Sequence, residues 1–336
     1  MTLSRFKRIL TLLTALALVI GVPAAFAESA SAVQYPLTIA HAYGETVLEK
    51  KPERVVAISW GNLDVPLALG VVPVGVSKAN YGVGENEDLL PWTVEGFAAL
   101  GVSEPAVFDD TDGLDYEAIN DAQPDVILAA YSGITREEYD MLSQIAPVIA
   151  YPTEAWQTTW REMIVTDAAG MGMEAEGEAL VASLDALIAG KVSAYPALEG
   201  KTAAFFYIAP TDFGSVYIYT LADPRAAYLT DLGLGFPQSV TDLIADENSF
   251  AVQVSAENLD GLTDLDIIIT YGDDGLLAAM QADPLLGSVP AVQNGAVVVI
   301  ENGSYLSASC TPSALSIPAT IDEYLAMIAS AAEKVK

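Results

Sequence analysis

The sequence predicts an α/β chain of two lobes, each a mainly parallel sheet flanked by helices, with one long helix joining them. Short runs of Val, Ile and Ala bounded by Gly, Pro, Asp or Asn alternate with longer helical patterns, the signature of strands buried on both faces of a parallel sheet. These runs fall into two groups, separated by a segment with a strong helical signal and almost no strand signal. A short motif in the first group echoes one in the second.

In chain order, Arg5, Lys7 and Arg8 precede the uncharged apolar run Ile9 to Val22, which ends in Ala25-Phe26-Ala27. Residues 1–27 therefore read as a cleaved secretory signal peptide, with no Cys near the cleavage site to carry a lipid anchor. Residues 28–157 form the expected first lobe, with strands at Val55 to Ile58, Pro73 to Val76, Val126 to Ala130 and Pro147 to Ala150. The segment 158–194 is the expected helical connection. Apolar residues recur at helical spacing from Glu174 to Ile188, and an earlier helical piece ends near Gly170-Met-Gly172. A helical link is stiff, so opening and closing between the lobes should be modest. Residues 195–336 form the second lobe, with strands at Thr202 to Ile208, Ile267 to Tyr271 and Ala296 to Ile300. The echo is Glu117 to Leu128 against Glu257 to Ile269: a short helix, then Asp125 or Asp266, then a buried strand.

The chain carries 45 acidic and 14 basic residues, a net charge of −31, and loss of the three leader cations takes it to about −34. Nucleic acid and anionic membrane surfaces are poor partners for such a surface. Cys310 stands alone, so no intrachain disulfide forms, and its neighbours Ser307 to Pro312 offer no base or cation to activate a thiol; a small packed side chain is expected. His41 is the only histidine, in a segment that alternates like an edge strand, which suits a structural role better than general-base work. One His and one Cys nearly exclude a zinc or manganese site built on imidazole and thiolate. No Gly-x-Ser-x-Gly elbow, Walker loop or Gly-x-Gly-x-x-Gly turn is present. The carboxylate pairs Asp109-Asp110 and Asp273-Asp274 are adjacent by chance in so acidic a chain; an exported hydrolase using Asp273-Asp274 is the remote alternative.

Ligands of doubly wound sheets sit beyond the carboxyl ends of the strands. Trp60, Tyr81, Tyr131, Trp156, Trp160, Tyr217, Tyr219, Tyr228, Tyr271 and Tyr305 all fall there, and their repeated placement describes an aromatic-lined cleft between lobes. Past the leader there are four arginines. Arg54 lies at the amino end of a strand, the wrong end for a site, which leaves Arg136, Arg161 and Arg225 to meet an anionic ligand or the many surface carboxylates.

The run Lys51 to Ser59, with His41 to Gly44 before it, resembles the opening of periplasmic substrate-binding proteins for ferric siderophores, a group that includes haem and vitamin B12 binders. The resemblance continues through Leu67 to Gly75, Asp115 to Ile127 and Leu142 to Val148 and covers nearly the whole chain past the leader. It implies the class III fold, two α/β lobes joined by a long helix, and no catalysis. It also implies a monomer in the periplasm that captures an iron chelate and docks peripherally at the inner membrane on an ABC importer permease. In that family a Glu on each lobe meets permease arginines; Glu117 matches the first and Glu257 is the choice for the second. A ferric siderophore brings its own iron ligands, so no resident cofactor and no direct metal ligand are expected. The shortage of arginines suits a hydroxamate or mixed, weakly charged chelate better than a strongly anionic catecholate. Haem held by a tyrosine, and vitamin B12, are the alternatives within this class.

Overall fold

The computed structural model describes residues 33–336, apart from Asn86, Pro210, Thr211 and Glu247. The signal-peptide reading of residues 1–27 lies outside the described residues. Among the described residues no helix is long and apolar enough to cross a membrane.

An antiparallel hairpin, β1 (Leu37–His41) and β2 (Gly44–Leu48), opens the described chain. It lies along the edge of the first sheet, where the Thr46 hydroxyl donates to the Val148 carbonyl at 2.7 Å. His41 is buried in this hairpin, its Nε2 3.0 Å from the Thr46 hydroxyl and its Nδ1 accepting from the Tyr43 amide. Burial and the nearby Arg136 lower its pKa, so it is a neutral packing residue.

The first sheet comprises β3 (Val55–Ala57), β4 (Gly75–Ser77), β5 (Val107–Phe108), β6 (Val126–Ala129) and β7 (Val148–Ala150), in the order β5-β4-β3-β6-β7 with every pair parallel. Both faces are covered by helices, which is why β3, β6 and β7 are apolar and buried at every position.

The second sheet comprises β8 (Ala203–Ala209), β9 (Asp212–Tyr219), β10 (Ala251–Ser255), β11 (Ile267–Gly272) and β12 (Val297–Glu301), in the order β10-β9-β8-β11-β12. The strands β8, β11 and β12 are parallel, whereas β9 pairs antiparallel with both β8 and β10, and β9 and β10 extend the sheet past the strands that sequence pattern finds. The sheet is therefore mixed, and Tyr217 and Tyr219 lie within β9 instead of in a loop after a strand.

Between the sheets the chain is helical, as a shorter helix Trp160–Gly170 and a long one Glu174–Val192, broken at Gly172 with φ +63°. The carboxy-terminal helix Ser316–Ala332 is amphipathic, with Ile317, Ile321, Leu325 and Ile328 buried in the core it shares with Leu184 and Ile188 of the long helix. Lys191 pairs with Asp322 across these two helices.

The internal echo has a common structural basis. Asp125, just before β6, accepts from the amides of Glu53 and Arg54 just before β3; Asp266, just before β11, accepts from the Thr202 amide just before β8. In both lobes the aspartate fastens the amino ends of two neighbouring parallel strands.

Candidate functional site

The carboxyl ends of both sheets face a cavity of about 790 Å³, within the range of sites that enclose drug-sized ligands. Two of its aromatic walls are carried by turns in which the backbone takes an uncommon conformation. After β3 the chain turns at Ser59 (φ +63°) and Gly61 (φ +73°), which projects Trp60 into the cavity. A Cβ on Gly61 would lie 3.2 Å from Met163 of the connecting helix, so the turn is pressed against the hinge side of the molecule. Asn62, wholly buried, does not cap the following helix. Its amide nitrogen donates to the carbonyls of Ile58 and Tyr131, and its oxygen accepts from the Tyr131 amide, so one side chain fastens the turns that carry Trp60 and Tyr131.

Trp156 is the second non-glycine residue at the cavity with left-handed backbone (φ +63°), half-exposed, with its ring 5.4 Å from that of Tyr131. Its indole packs against Gly133, where a Cβ would sit 2.1 Å from Nε1. Strained turns of this kind persist only where surrounding packing holds them and gather at binding sites.

From Trp60 a row of rings crosses to the second lobe: Tyr81 at 6.5 Å, then Tyr271 at 6.4 Å, Phe205 at 4.9 Å and Tyr219 at 5.7 Å between successive centroids. The Tyr81 hydroxyl donates to Asn302 Oδ1 at 2.7 Å and accepts from the Gly303 amide, joining the lobes at the cavity edge. A deeper junction is formed by Asp64, fully buried, whose carboxylate accepts from Trp92 Nε1 (3.0 Å), the Thr93 hydroxyl (3.1 Å) and the Ser313 hydroxyl of the other lobe. Burial raises its pKa to about 6 against the opposing pull of these three donors.

Of the cationic candidates only Arg225 lines the cavity. Its guanidinium lies 3.9 Å above the Tyr219 ring and is gripped by Asp223, which accepts from Nε at 2.8 Å and from Nη2 at 2.6 Å. Burial opposes the charge, but the Asp223 hydrogen bonds and charge outweigh it, and Arg225 stays protonated. Lys78, at the opposite wall, is paired with Asp88 at 2.9 Å and lies 3.9 Å from Asp109.

Trp60, Tyr81, Tyr131, Trp156, Tyr219, Arg225 and Tyr271 thus converge on one cavity. The other sequence candidates lie elsewhere: Arg136, Trp160, Arg161, Tyr228 and Tyr305 fall on helices, which can turn a side chain to any face, and Tyr217 falls on β9. Arg136 sits over the rings of Tyr43 and Tyr139 and pairs with Asp140. Trp160 and Arg161 brace the connecting helix against the second lobe: Trp160 Nε1 donates to Asp231, and Arg161 binds Asp185 and Asp231 while covering the Trp160 indole at 4.2 Å. Tyr228 is buried in a stack with Tyr324, Tyr305 donates to Glu323 at the surface, and Tyr217 is exposed beside Tyr207. Glu117 and Glu257 are exposed in the first turns of their short helices, one in each lobe. Asp273 closes a turn on the Gly275 amide, and neither it nor Asp274 lines the cavity.

The cavity also draws on residues that sequence pattern passes over, Tyr207, Phe250, Lys78 and Glu138, and on Asp110, one of the carboxylate pair read from sequence as a chance neighbour. Tyr207 is hidden inside an apolar strand run, and Phe250 precedes a strand that has no clear sequence signal. Among the described residues no group of three His, Cys, Asp or Glu is placed to hold a metal ion.

The model of the periplasmic binding protein family matches residues 55–302. Streptococcus pneumoniae PiaA, solved in complex with ferrichrome, is 51% identical and superposes with a TM-score of 0.85, over 89% of this chain and 99% of that one. A periplasmic solute binding protein from Mycobacterium smegmatis is 26% identical with a TM-score of 0.69, over 88% of this chain and 98% of that one. The ferric enterobactin-binding periplasmic protein FepB of Escherichia coli is 26% identical over 285 residues, 80% of this chain and 85% of that protein. With its paired α/β lobes, helical connection and interlobe cavity, the chain belongs to the periplasmic binding protein family, class III.

Proposed function

We infer that the protein captures a ferric siderophore in the interlobe cavity and delivers it to the permease of an ABC importer for iron uptake. The observation that carries this reading is an aromatic-walled cavity without a metal-ligand group among the described residues, in a chain 51% identical to a protein solved with ferrichrome. Iron that arrives fully chelated needs walls, not ligands, and the row from Trp60 to Tyr219 supplies them. The activity is binding and delivery, not turnover, and the protein needs no resident cofactor.

Charge narrows the class. Three monoanionic hydroxamates balance Fe(III), whereas three dianionic catecholates leave a strongly negative complex. Both cations that line the cavity already hold carboxylates, so a neutral hydroxamate chelate fits without displacing Asp223 from Arg225. Haem fits less well: a ligating tyrosine must ionise, and burial, the largest influence on Tyr131, Tyr219 and Tyr271, raises the pKa of each.

Tryptophan quenching and native mass spectrometry against a ferric trihydroxamate, a ferric tricatecholate, haem and vitamin B12 test the assignment. Tightest binding of the trihydroxamate by a monomer is expected. A haem complex whose charge-transfer band disappears on replacing one cavity tyrosine would displace the siderophore reading. The protein works outside the cytoplasm, in the periplasm, and docks through Glu117 and Glu257. The pair Glu117→Arg and Glu257→Arg is expected to leave chelate affinity intact and abolish importer-dependent uptake; unchanged uptake would sink the docking assignment.

A further inference from the structure

The charges around the cavity do not cancel. Its two cations are occupied, Arg225 by Asp223 and Lys78 by Asp88, with Asp109 also near. Two further carboxylates line it, Asp110 and Glu138, and among the described residues neither has an ion-pair partner. Glu138 is partly used in the capping box of its helix, where it accepts from the Thr135 amide. Asp110 is half-buried, held on one oxygen by the Ser77 hydroxyl, which in turn accepts from the Ser59 amide beside Trp60. That chain of hydrogen bonds fixes an anion at the first-lobe wall next to the ring that the ligand must touch. Burial raises the Asp110 pKa above its ordinary value, as expected of a carboxylate sheltered from water without a counter-ion.

Resting on the siderophore reading, we propose that Asp110 is a specificity-determining residue that selects chelates carrying a positively charged arm, such as a primary ammonium, on an otherwise neutral ferric hydroxamate core. An ammonium beside Asp110 supplies the missing counter-charge, whereas an anionic chelate meets an uncompensated carboxylate in a low-dielectric site. The same sign acts at long range, since a chain of net charge −31 draws cations toward its surface.

The test compares two probes that differ in one charge: the Fe(III) complex of a linear trihydroxamate ending in a primary amine, and the same complex after N-acetylation. A hydrogen bond to a charged group is worth enough for the wild type to prefer the ammonium form at least about tenfold. In Asp110→Asn the ratio of the two affinities is expected to fall to about one. A ratio near one in the wild type overturns the proposal, and so does a preference that survives Asp110→Asn. Binding of neither chelate counts against the siderophore reading itself, which keeps the two failures apart.

Discussion

Tyr81 and Asn302 lie 221 positions apart, on opposite lobes, and are joined by a 2.7 Å hydrogen bond from phenol to side-chain carbonyl. The same phenol accepts from the Gly303 amide, and its ring stands between Trp60 and Tyr271 on the cavity wall. One residue therefore touches both the ligand space and the opposite lobe. Tyr81→Phe keeps the wall and removes the clasp, and about 1 kcal/mol should be lost. Stopped-flow quenching with a ferric trihydroxamate is expected to show release about fivefold faster. Asn302→Ala should do the same, and the double variant should be little worse than either single one, the mark of a direct interaction.

Asp64 gives the protein a measurable pH dependence. Its folded pKa, about 6, lies above the unfolded value, so the folded state binds the proton more tightly. Its contribution to stability is complete below the unfolded pKa and is lost as pH rises through 6, on the order of 3 kcal/mol in all. Urea titrations at pH 4 to 7.5 should show Asp64→Asn gaining on the wild type as pH rises. A difference that stays flat across this range would mean that the Trp92, Thr93 and Ser313 donors hold the carboxylate charged throughout.

Gly133 is required by its neighbour. An added Cβ would occupy the place of the Trp156 indole nitrogen, so Gly133→Ala must lift the ring from the backbone. Because Trp156 is half-exposed, the melting temperature should change little, while affinity for a ferric trihydroxamate falls about tenfold, roughly the value of one well-placed aromatic contact. Tryptophan emission should shift to longer wavelength in the unliganded variant.

Cys310 should be silent. It is fully buried, and burial pushes its thiol up to about 12. A maleimide at pH 7.5 is expected to leave the folded protein unmodified over hours and to label the one thiol at once in urea. Rapid labelling of the folded chain would reveal an opening of the core that encloses it.

What the sequence discloses follows from burial. Strands β3, β6, β7, β11 and most of β8 are covered on both faces, so they must be continuous apolar runs and are legible as such. Strand β9 contains Gly214 and Ser215 and exposes alternate residues, and it blends into the loops around it. The same division applies to the site. Residues two or three positions past a buried strand, Tyr131 and Trp60 among them, have little freedom in where they point. Arg161 is eleven positions past β7 and already on a helix, and its direction is set by Asp185 and Asp231, far along the chain. Tyr207 shows the converse: within an apolar run it reads as core, yet the antiparallel β9 pairs Tyr217 with it and leaves both outside.

The row of rings that crosses from Trp60 to Tyr219 belongs to neither lobe alone. Transition dipoles held this close couple, and the coupling depends on their mutual angles. The near-ultraviolet dichroism of the unlabelled protein is therefore an internal goniometer: a change of sign or amplitude on loading reports rotation of one lobe against the other. A spectrum that merely loses intensity reports a rigid frame in which the chelate has taken its place.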